Sequence, residues 1–261
     1  MNEPDYTLLD RPDISEAMFY PRWDWEPPSA TASDHSIQVE DRVSLACRFY
    51  TVNKTAPSIL YFHGNGEVVS DYDDLGPIYN RFGINLFVVD YRGYGASTGK
   101  PSFSKMIADS HPVLHFFREL LYNQGYSDCL FVMGRSMGAS SALELAAHYP
   151  TKIRAVILES GAGTGNWSRW LHPLEDSSPW DELQISHEEK LRSIVIPLLT
   201  IHGELDHLIQ VESALKLRDM ISSEDKELLI IPNAGHNDIF FVGMETYMES
   251  LFSFIKTWAS S

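Results

Sequence analysis

A serine, an aspartate and a histidine that lie far apart in the chain have the side chains needed for nucleophilic acyl transfer. The serine is Ser136, and it lies in a Gly-x-Ser-x-Gly pattern formed by Gly134-Arg135-Ser136-Met137-Gly138. A serine hydroxyl is a weak nucleophile near neutral pH, so it needs a base that accepts its proton and an acid that orients the base. The histidine and the carboxylate that complete such a set must therefore come close to Ser136 in the fold.

The residues around Ser136 predict a sharp turn between a strand and a helix. Residues 130–133 form an apolar run with the length of a strand that is covered on both faces. The residues that follow predict a helix with a small-residue face, ending before Pro150: Ala139, Ala142, Leu143, Ala146 and Ala147. Such a turn strains the serine backbone, and Gly134 and Gly138 leave space where a side chain would collide. The serine hydroxyl is then exposed at the N-terminus of a helix.

The candidate base and acid both lie in loops that follow predicted strands. Among ten histidines, His236 is the one in a loop after the final predicted strand, and we expect it to act as the base. Asp206 follows the penultimate strand and is our candidate for the orienting acid, with Glu204 and Glu159 as alternatives. The order serine, aspartate, histidine along the chain is the one expected for this architecture.

The oxyanion that forms after attack needs two hydrogen-bond donors, each worth about 3 kcal/mol of barrier lowering. We expect one to be the backbone N–H of Met137, directly after the nucleophile. The other should come from the loop His63-Gly64-Asn65-Gly66, with the N–H of Asn65 favoured over that of Gly66. We expect His63 to brace this loop and to take no part in the chemistry.

Short apolar runs that alternate with helical patterns predict an α/β fold with a parallel sheet and helices on both faces. The predicted strands are residues 58–62, 86–90, 130–133, 155–159, 198–202 and 227–231, preceded by an antiparallel hairpin of residues 36–39 and 43–50. Ligands bind at the carboxyl ends of the strands in such sheets, and every candidate residue above follows a strand. We also expect a helix over residues 103–121, which Pro112 should kink or split.

Two further segments are set apart by their composition. Residues 1–35 are rich in proline and contain Trp23 and Trp25, so we expect an irregular arm whose aromatic side chains hold it against the surface of the domain. One domain then covers residues 36–261. Within it, residues 161–190 carry several tryptophans among acidic residues, and they predict a short lid.

The charge of the chain limits its partners. It contains 20 basic and 36 acidic residues, a formal net charge of -16, which repels nucleic acid and anionic head groups at long range. Cys47 and Cys129 lie in predicted strands and do not form a disulfide framework. The N-terminus lacks the features of a signal peptide, and no window reaches the ~18 apolar residues of a membrane span, so we expect a cytoplasmic protein without nucleic-acid partners.

With these motifs assembled, residues 36–258 resemble the α/β-hydrolase superfamily. The motifs that carry the resemblance are Phe62-His63-Gly64-Asn65-Gly66, Asp90-Tyr91-Arg92-Gly93-Tyr94-Gly95-Ala96-Ser97 and Gly134-Arg135-Ser136-Met137-Gly138. Their combination is similar to the Bem46/ABHD13/ABHD17 group of serine hydrolases. The resemblance implies an α/β-hydrolase fold with an eight-stranded, mostly parallel sheet. It also implies hydrolysis of esters, thioesters or amides through an acyl-serine intermediate, without a metal or an organic cofactor.

Two expectations about the substrate follow. Relatives in this group often carry a membrane anchor or a lipidated cysteine cluster at the N-terminus, and this sequence shows neither, which favours small or medium acyl esters or thioesters over a membrane-bound depalmitoylase role. We expect Gly66, Arg135, Trp167 and Trp170 to line the substrate site, with the tryptophans walling an acyl pocket. The alternative for the tryptophans is that they only pack on the domain.

Other functions remain open at this level. The fold could serve as a binding protein without turnover, or the same triad could perform peptidase or acyltransferase chemistry. His63, His202 and His207 lie in separate loops without the His-Glu-x-x-His spacing, so we expect no metal site among them. Dinucleotide binding is disfavoured because Thr98 stands where the third glycine of the fingerprint would be. The oligomeric state is left undetermined.

Overall fold

The computed structural model of the chain describes residues 3–29, 31–161, 163–165, 167–172 and 175–259. The sheet in this part of the chain has eight strands: β1 Ala32–Glu40, β2 Val43–Tyr50, β3 Ser58–Phe62, β4 Asn85–Val89, β5 Leu130–Arg135, β6 Val156–Glu159, β7 Leu198–Gly203 and β8 Lys226–Ile231. Their spatial order is β1-β2-β4-β3-β5-β6-β7-β8. The prediction of an α/β-hydrolase fold with a mostly parallel, eight-stranded sheet is confirmed.

The parallel part of the sheet brings the functional loops to one edge. β1 and β2 form an antiparallel hairpin, and β2 also runs antiparallel to β4. All other neighbouring pairs are parallel. The carboxyl ends of β3, β5, β7 and β8 therefore lie at the same edge, which is where ligands bind in such sheets.

Seven α-helices accompany the sheet in the described residues: α1 Pro12–Met18, α2 Gly76–Arg81, α3 Phe103–Gln124, α4 Ala139–His148, α5 Ser178–Arg192, α6 Val211–Met220 and α7 Ile239–Ala259. The sheet separates two hydrophobic cores, because successive residues of a strand point to opposite faces. Along β3, Leu60 and Phe62 belong to the core that contains residues of α3 and α4, whereas Ile59 and Tyr61 belong to the core that contains residues of α2 and α7.

Helix α3 and the N-terminal arm bear on two predictions about local structure. α3 runs through Pro112 without being split, although the proline lacks the N–H that would bond within the helix. The N-terminal arm is irregular over residues 19–29, whereas it begins with a 3-10 turn over Tyr6–Asp10 and then α1. The arm packs through Leu9, Ile14 and Phe19, which are buried, whereas Trp23 is 77% exposed. The first strand begins earlier than predicted, because β1 starts at Ala32. None of the helices described here is both long and apolar enough to span a bilayer.

Candidate active site

The structure brings Ser136, His236 and Asp206 into one hydrogen-bonded line. Nε2 of His236 lies 2.9 Å from Oγ of Ser136, and Nδ1 of His236 lies 2.8 Å from Oδ2 of Asp206. An ionised carboxylate only accepts hydrogen bonds, so we assign the imidazole proton to Nδ1. Nε2 then carries the lone pair that accepts the serine proton, which is the arrangement that a general base requires.

Backbone geometry at Ser136 explains the two glycines of its motif. Ser136 has a φ of +51°, in the left-handed region that a non-glycine residue rarely adopts. A Cβ at Gly134 would lie 2.3 Å from the carbonyl oxygen of Gly138, and a Cβ at Gly138 would lie 2.1 Å from that of Phe62. Both contacts involve backbone atoms that cannot move away without distorting the turn. Side chains are therefore excluded at both positions, and the serine stands at a sharp corner between β5 and α4, as predicted.

Asp206 is held in place independently of His236. Its side chain is fully buried, and Oδ1 accepts hydrogen bonds from the backbone N–H groups of Leu208 and Ile209 at 2.9 and 2.8 Å. His202 lies on its other side, with Nε2 at 3.4 Å from Oδ2. His202 also contacts the carbonyl oxygen of Ile209 at 2.7 Å. These contacts stabilise the carboxylate and direct its second oxygen at His236.

The two alternative acids are occupied elsewhere. Glu204 accepts a hydrogen bond from the backbone N–H of Asn233 at 2.9 Å. Glu159 accepts one from Tyr247 at 2.7 Å and pairs with Arg135 at 3.0 Å. Of the three candidates, Asp206 is thus the carboxylate that contacts the imidazole.

The loop that follows β3 is fastened through the side chain of Asn65. Its Oδ1 accepts hydrogen bonds from the hydroxyl of Tyr94 at 2.7 Å and the backbone N–H of Tyr20 at 3.0 Å. Its Nδ2 donates to the carbonyl oxygen of Met18 at 2.6 Å. The N-terminal arm therefore clamps this loop, a contact that the sequence did not predict. The side chain of Asn65 thus serves to position the loop, and the use of its backbone N–H by a substrate stays a prediction.

The remaining parts of the predicted oxyanion site also lie at this edge. Met137 follows Ser136 within the 3-10 turn Ser136–Gly138, directly before α4. Gly66 has a φ of +76°, and its carbonyl oxygen accepts a hydrogen bond from Arg22 at 3.1 Å. The roles of Asn65 and Met137 as oxyanion donors stay predictions, as does the contact of Gly66 with substrate.

His63 braces the same loop from below. It is fully buried, with Nδ1 at 2.8 Å from the carbonyl oxygen of Gly64 and Nε2 at 3.2 Å from Oδ1 of Asp90. Burial disfavours the charged imidazolium, but the carboxylate of Asp90 outweighs it and raises the pKa of His63. The hydroxyl of Tyr91 donates to the carbonyl oxygen of His63 at 2.6 Å. This interior position agrees with the predicted bracing role, and the sequence analysis did not identify its partner Asp90.

The side chain of Arg135, which was predicted to line the substrate site, is turned inward, and its contact with substrate stays a prediction. Its side chain is largely buried and pairs with Glu159 at 3.0 Å and, more closely, with Glu67. Its Nη2 donates to the carbonyl oxygen of His236 and to Oδ1 of Asn237, each at 3.0 Å. Burial alone would lower the pKa of Arg135, but the two carboxylates raise it, so the guanidinium is charged. In the sequence, these partners could have been found from their positions, because Glu67 follows β3 and Glu159 is the last residue of β6.

The predicted lid is a folded segment whose described tryptophans lie against the domain. It contains a 3-10 turn over Trp167–Trp170 and then α5, while Ala162, Asn166, Pro173 and Leu174 lie outside the described residues. Trp167 is buried, with ring centroids 5.2 Å from Phe103 and 5.6 Å from His187. Trp170 is partly buried and packs against the same core. This packing favours the alternative in which the indoles pack on the domain.

A surface cleft lies between this segment and α6. It has a volume of about 850 Å³ and is lined by residues of the segment and of α6, among them Gln184, Arg192 and Lys216. Neither Ser136 nor His236 lines it. Around the serine, the described residues include no group of three metal-ligating side chains close enough to share an ion.

The chain is similar in sequence to known hydrolases. The family model described as serine aminopeptidase S33 matches residues 53–179. Alpha/beta hydrolase domain-containing protein 17B of Homo sapiens is 31% identical over 218 residues, which cover 81% of this chain and 71% of that protein.

Two solved structures show a similar fold. An esterase from Pyrococcus furiosus has a TM-score of 0.72 at 21% identity, over 92% of this chain and 99% of that chain. Est1E from Butyrivibrio proteoclasticus has a TM-score of 0.68 at 16% identity, over 87% of this chain and 99% of that chain. At these identities the two structures support the fold, and the chemistry has to be argued from the site.

Proposed function

This chain belongs to the α/β hydrolases, in the group of the alpha/beta hydrolase domain-containing 17 proteins, and we propose that it is a serine hydrolase that cleaves carboxylic esters or thioesters. The observation that carries the proposal is the line Ser136, His236, Asp206, with hydrogen-bond distances of 2.9 and 2.8 Å. A positioned base and an orienting carboxylate are what turn a serine hydroxyl into a nucleophile.

The chemistry proceeds in two halves through an acyl-serine intermediate. Oγ of Ser136 attacks the acyl carbon while Nε2 of His236 takes its proton, and the imidazolium is stabilised by Asp206. The negative charge on the acyl oxygen is held by the backbone N–H groups of Met137 and Asn65. His236 returns the proton to the departing alcohol or thiol. In the second half, His236 takes a proton from a water molecule whose oxygen attacks the acyl carbon. The bond between the acyl carbon and Oγ of Ser136 then breaks, His236 returns the proton to Oγ, and the acid is released.

A peptidase is the second candidate, because the matching family model is described as a serine aminopeptidase. An aminopeptidase has to bind the charged amino terminus of its substrate, which calls for an unpaired carboxylate near the nucleophile. The carboxylates that reach the residue beside Ser136 are Glu67 and Glu159, and both are paired with Arg135. This pairing supports esters or thioesters over peptides with a free amino terminus.

Covalent labelling tests the proposal directly. A fluorophosphonate probe should add its mass to Ser136 in the wild type and should leave Ser136→Ala unlabelled. Ser253→Ala, on an exposed face of α7, is the matched control and should label like the wild type. Absence of labelling in correctly folded protein would favour a binding protein without turnover.

Turnover assays then distinguish the substrate classes. Short p-nitrophenyl esters, the corresponding thioesters and aminoacyl p-nitroanilides should be compared with the same enzyme preparation. We expect turnover of esters or thioesters and little turnover of anilides. Preferential cleavage of the anilides would replace the proposal by the peptidase.

A further inference from the structure

A cluster of histidines lies between α3 and α4, away from the active site. It contains His111 and His115 on α3 and His148 on α4, with Tyr149 between them. α4 begins at Ala139, three residues after Ser136, and His148 at its other end lies about 14 Å along the helix from that start, at a rise of 1.5 Å per residue. The catalytic chemistry proposed above does not use any of these side chains.

Two histidines of this cluster, His111 and His148, converge on the carboxylate of Glu144. Oε1 of Glu144 lies 3.0 Å from Nε2 of His111 and 3.2 Å from Nδ1 of His148. All three ligand atoms lie within 4.8 Å of one another, and no other described group of three has this property. Metal–ligand distances of about 2.0–2.1 Å imply that ligands of a tetrahedral zinc ion stand about 3.3 Å apart. The two measured separations are close to that value.

Each of the three side chains is also held by a second partner, as metal ligands usually are. Nδ1 of His111 lies 2.9 Å from the hydroxyl of Tyr149, and Nε2 of His148 lies 3.1 Å from Oε1 of Glu3. The other oxygen of Glu144 accepts a short hydrogen bond from Lys190. Each imidazole thus has one nitrogen toward the shared point and the other toward a hydrogen-bond partner, which is Tyr149 for His111 and Glu3 for His148.

From this convergence we propose that His111, Glu144 and His148 form a binding site for a divalent transition-metal ion of the zinc class. Two imidazoles and one carboxylate suit zinc and its neighbours, whereas magnesium and calcium prefer oxygen ligands throughout. Water completes the fourth position. Glu144 is buried, while the side chains of His111 and His148 are 27% and 29% exposed, which leaves a path for the ion from solvent.

The ion would stabilise the fold and would not take part in the reaction. It links α3 to α4 directly, and it reaches the N-terminal arm through Glu3. Binding to the folded chain alone raises the stability of that chain by mass action. To bind the ion, Nδ1 of His148 has to exchange its contact with the carbonyl oxygen of Glu144, at 3.0 Å, for the metal.

Titration of tag-free, chelator-treated protein with ZnCl₂ tests the site. Calorimetry should show one zinc ion bound per chain, and the Tm should rise by several degrees, with no rise in MgCl₂. Cobalt(II) in place of zinc should give the visible absorption of tetrahedral coordination. Absence of stoichiometric zinc binding would overturn the proposal.

Variants locate the ion. His111→Asn and His148→Asn should each weaken zinc binding by about tenfold or more, and Tyr149→Phe, which removes an outer partner, by about tenfold. The matched controls are His172→Asn, an exposed histidine elsewhere, and His236→Asn, which excludes binding at the catalytic imidazole. Both controls should bind zinc like the wild type. Zinc binding that survives both His111→Asn and His148→Asn, or that is lost in His236→Asn, would place the ion elsewhere and refute the site. Circular dichroism verifies that each variant is folded. If a variant of His111 or His148 does not fold, weaker zinc binding by Tyr149→Phe still tests the site.

Discussion

The guanidinium of Arg135 donates a hydrogen bond to the carbonyl oxygen of His236 over 3.0 Å. The residue directly before the nucleophile therefore holds the loop that carries the base. Through Glu67, whose other oxygen accepts the N–H of Gly64 at 2.7 Å, the same guanidinium reaches the loop of the predicted oxyanion site. One buried cation thus links three loops that come from distant parts of the chain.

Replacement of Arg135 by lysine should reduce kcat with little change in KM. Lysine keeps the charge that Glu67 and Glu159 need, but an ammonium cannot reproduce the planar fork that contacts both carboxylates and the carbonyl oxygen of His236. We expect a loss in kcat of about tenfold, because displacement of the base slows the chemical step more than it weakens substrate binding. Steady-state kinetics on a short p-nitrophenyl ester measures both constants.

The acid of the triad should be Asp206 and not its neighbour Glu204. Asp206→Asn keeps the shape but favours the wrong imidazole tautomer, and a loss in kcat of about 10⁴-fold is expected for such a change. Glu204→Gln is the matched control and should stay within about twofold, because Glu204 contacts only the backbone of Asn233. A comparable loss in the two variants would show that the carboxylates had been assigned wrongly.

Gly138→Ala should be far more damaging than an alanine at another glycine. The new Cβ would lie 2.1 Å from the carbonyl oxygen of Phe62, so either β3 or the serine turn has to shift. We expect a loss of about 3 kcal/mol or more in the free energy of unfolding. Gly125→Ala at the end of α3 is the control, because its Cβ meets no atom within 4 Å and only the positive φ of 73° costs energy, about 1 kcal/mol. Equal losses in urea-induced unfolding would contradict this explanation.

His187 should make the fold less stable as the pH falls. Burial lowers the pKa of this histidine from 6.5 to about 4, helped by the nearby Lys190 and opposed by Glu144. The hydroxyl of Tyr6 lies 2.7 Å from Nδ1 of His187, and Nε2 of His187 contacts the carbonyl oxygen of Gly163. A neutral ring satisfies both contacts, because Nδ1 can accept from the hydroxyl while Nε2 donates to the carbonyl oxygen.

The sign of this dependence follows from which state takes up the proton. Between pH 6.5 and about 4 the unfolded chain binds a proton at His187 that the folded chain does not, so stability falls as the pH decreases through this window. At pH 5 the contribution of His187 should be about 2 kcal/mol smaller than at pH 7. Urea unfolding at the two pH values measures it, and His187→Gln should show a shallower decline than the wild type. Identical pH dependence in the two proteins would exclude the histidine as its source.

Much of the fold was predictable because its signals are local. The strand predicted over residues 58–62 coincides with β3, and the other predicted strands agree with the structure to within a few residues at each end. Short apolar runs between turns identify buried strands wherever the chain goes afterwards. The helical part of the N-terminal arm was not predicted, because its helices are stabilised by burial of Leu9 and Ile14 against the domain, which no local pattern reports.

The sequence by itself determined the strands of the sheet and the strained turn at Ser136, because both depend on neighbouring residues. It also determined that Asp206 and His236 lie in loops that follow strands, and the carboxyl ends of parallel strands meet at one edge of the sheet. Tertiary structure alone decided that Asp206 and not Glu204 contacts the imidazole, that Arg135 turns inward to two carboxylates, and that His111 meets Glu144. Those outcomes depend on strand order and on the packing of side chains that are distant along the chain. Contacts of this kind are set by the three-dimensional arrangement of whole elements, which residue spacing does not encode.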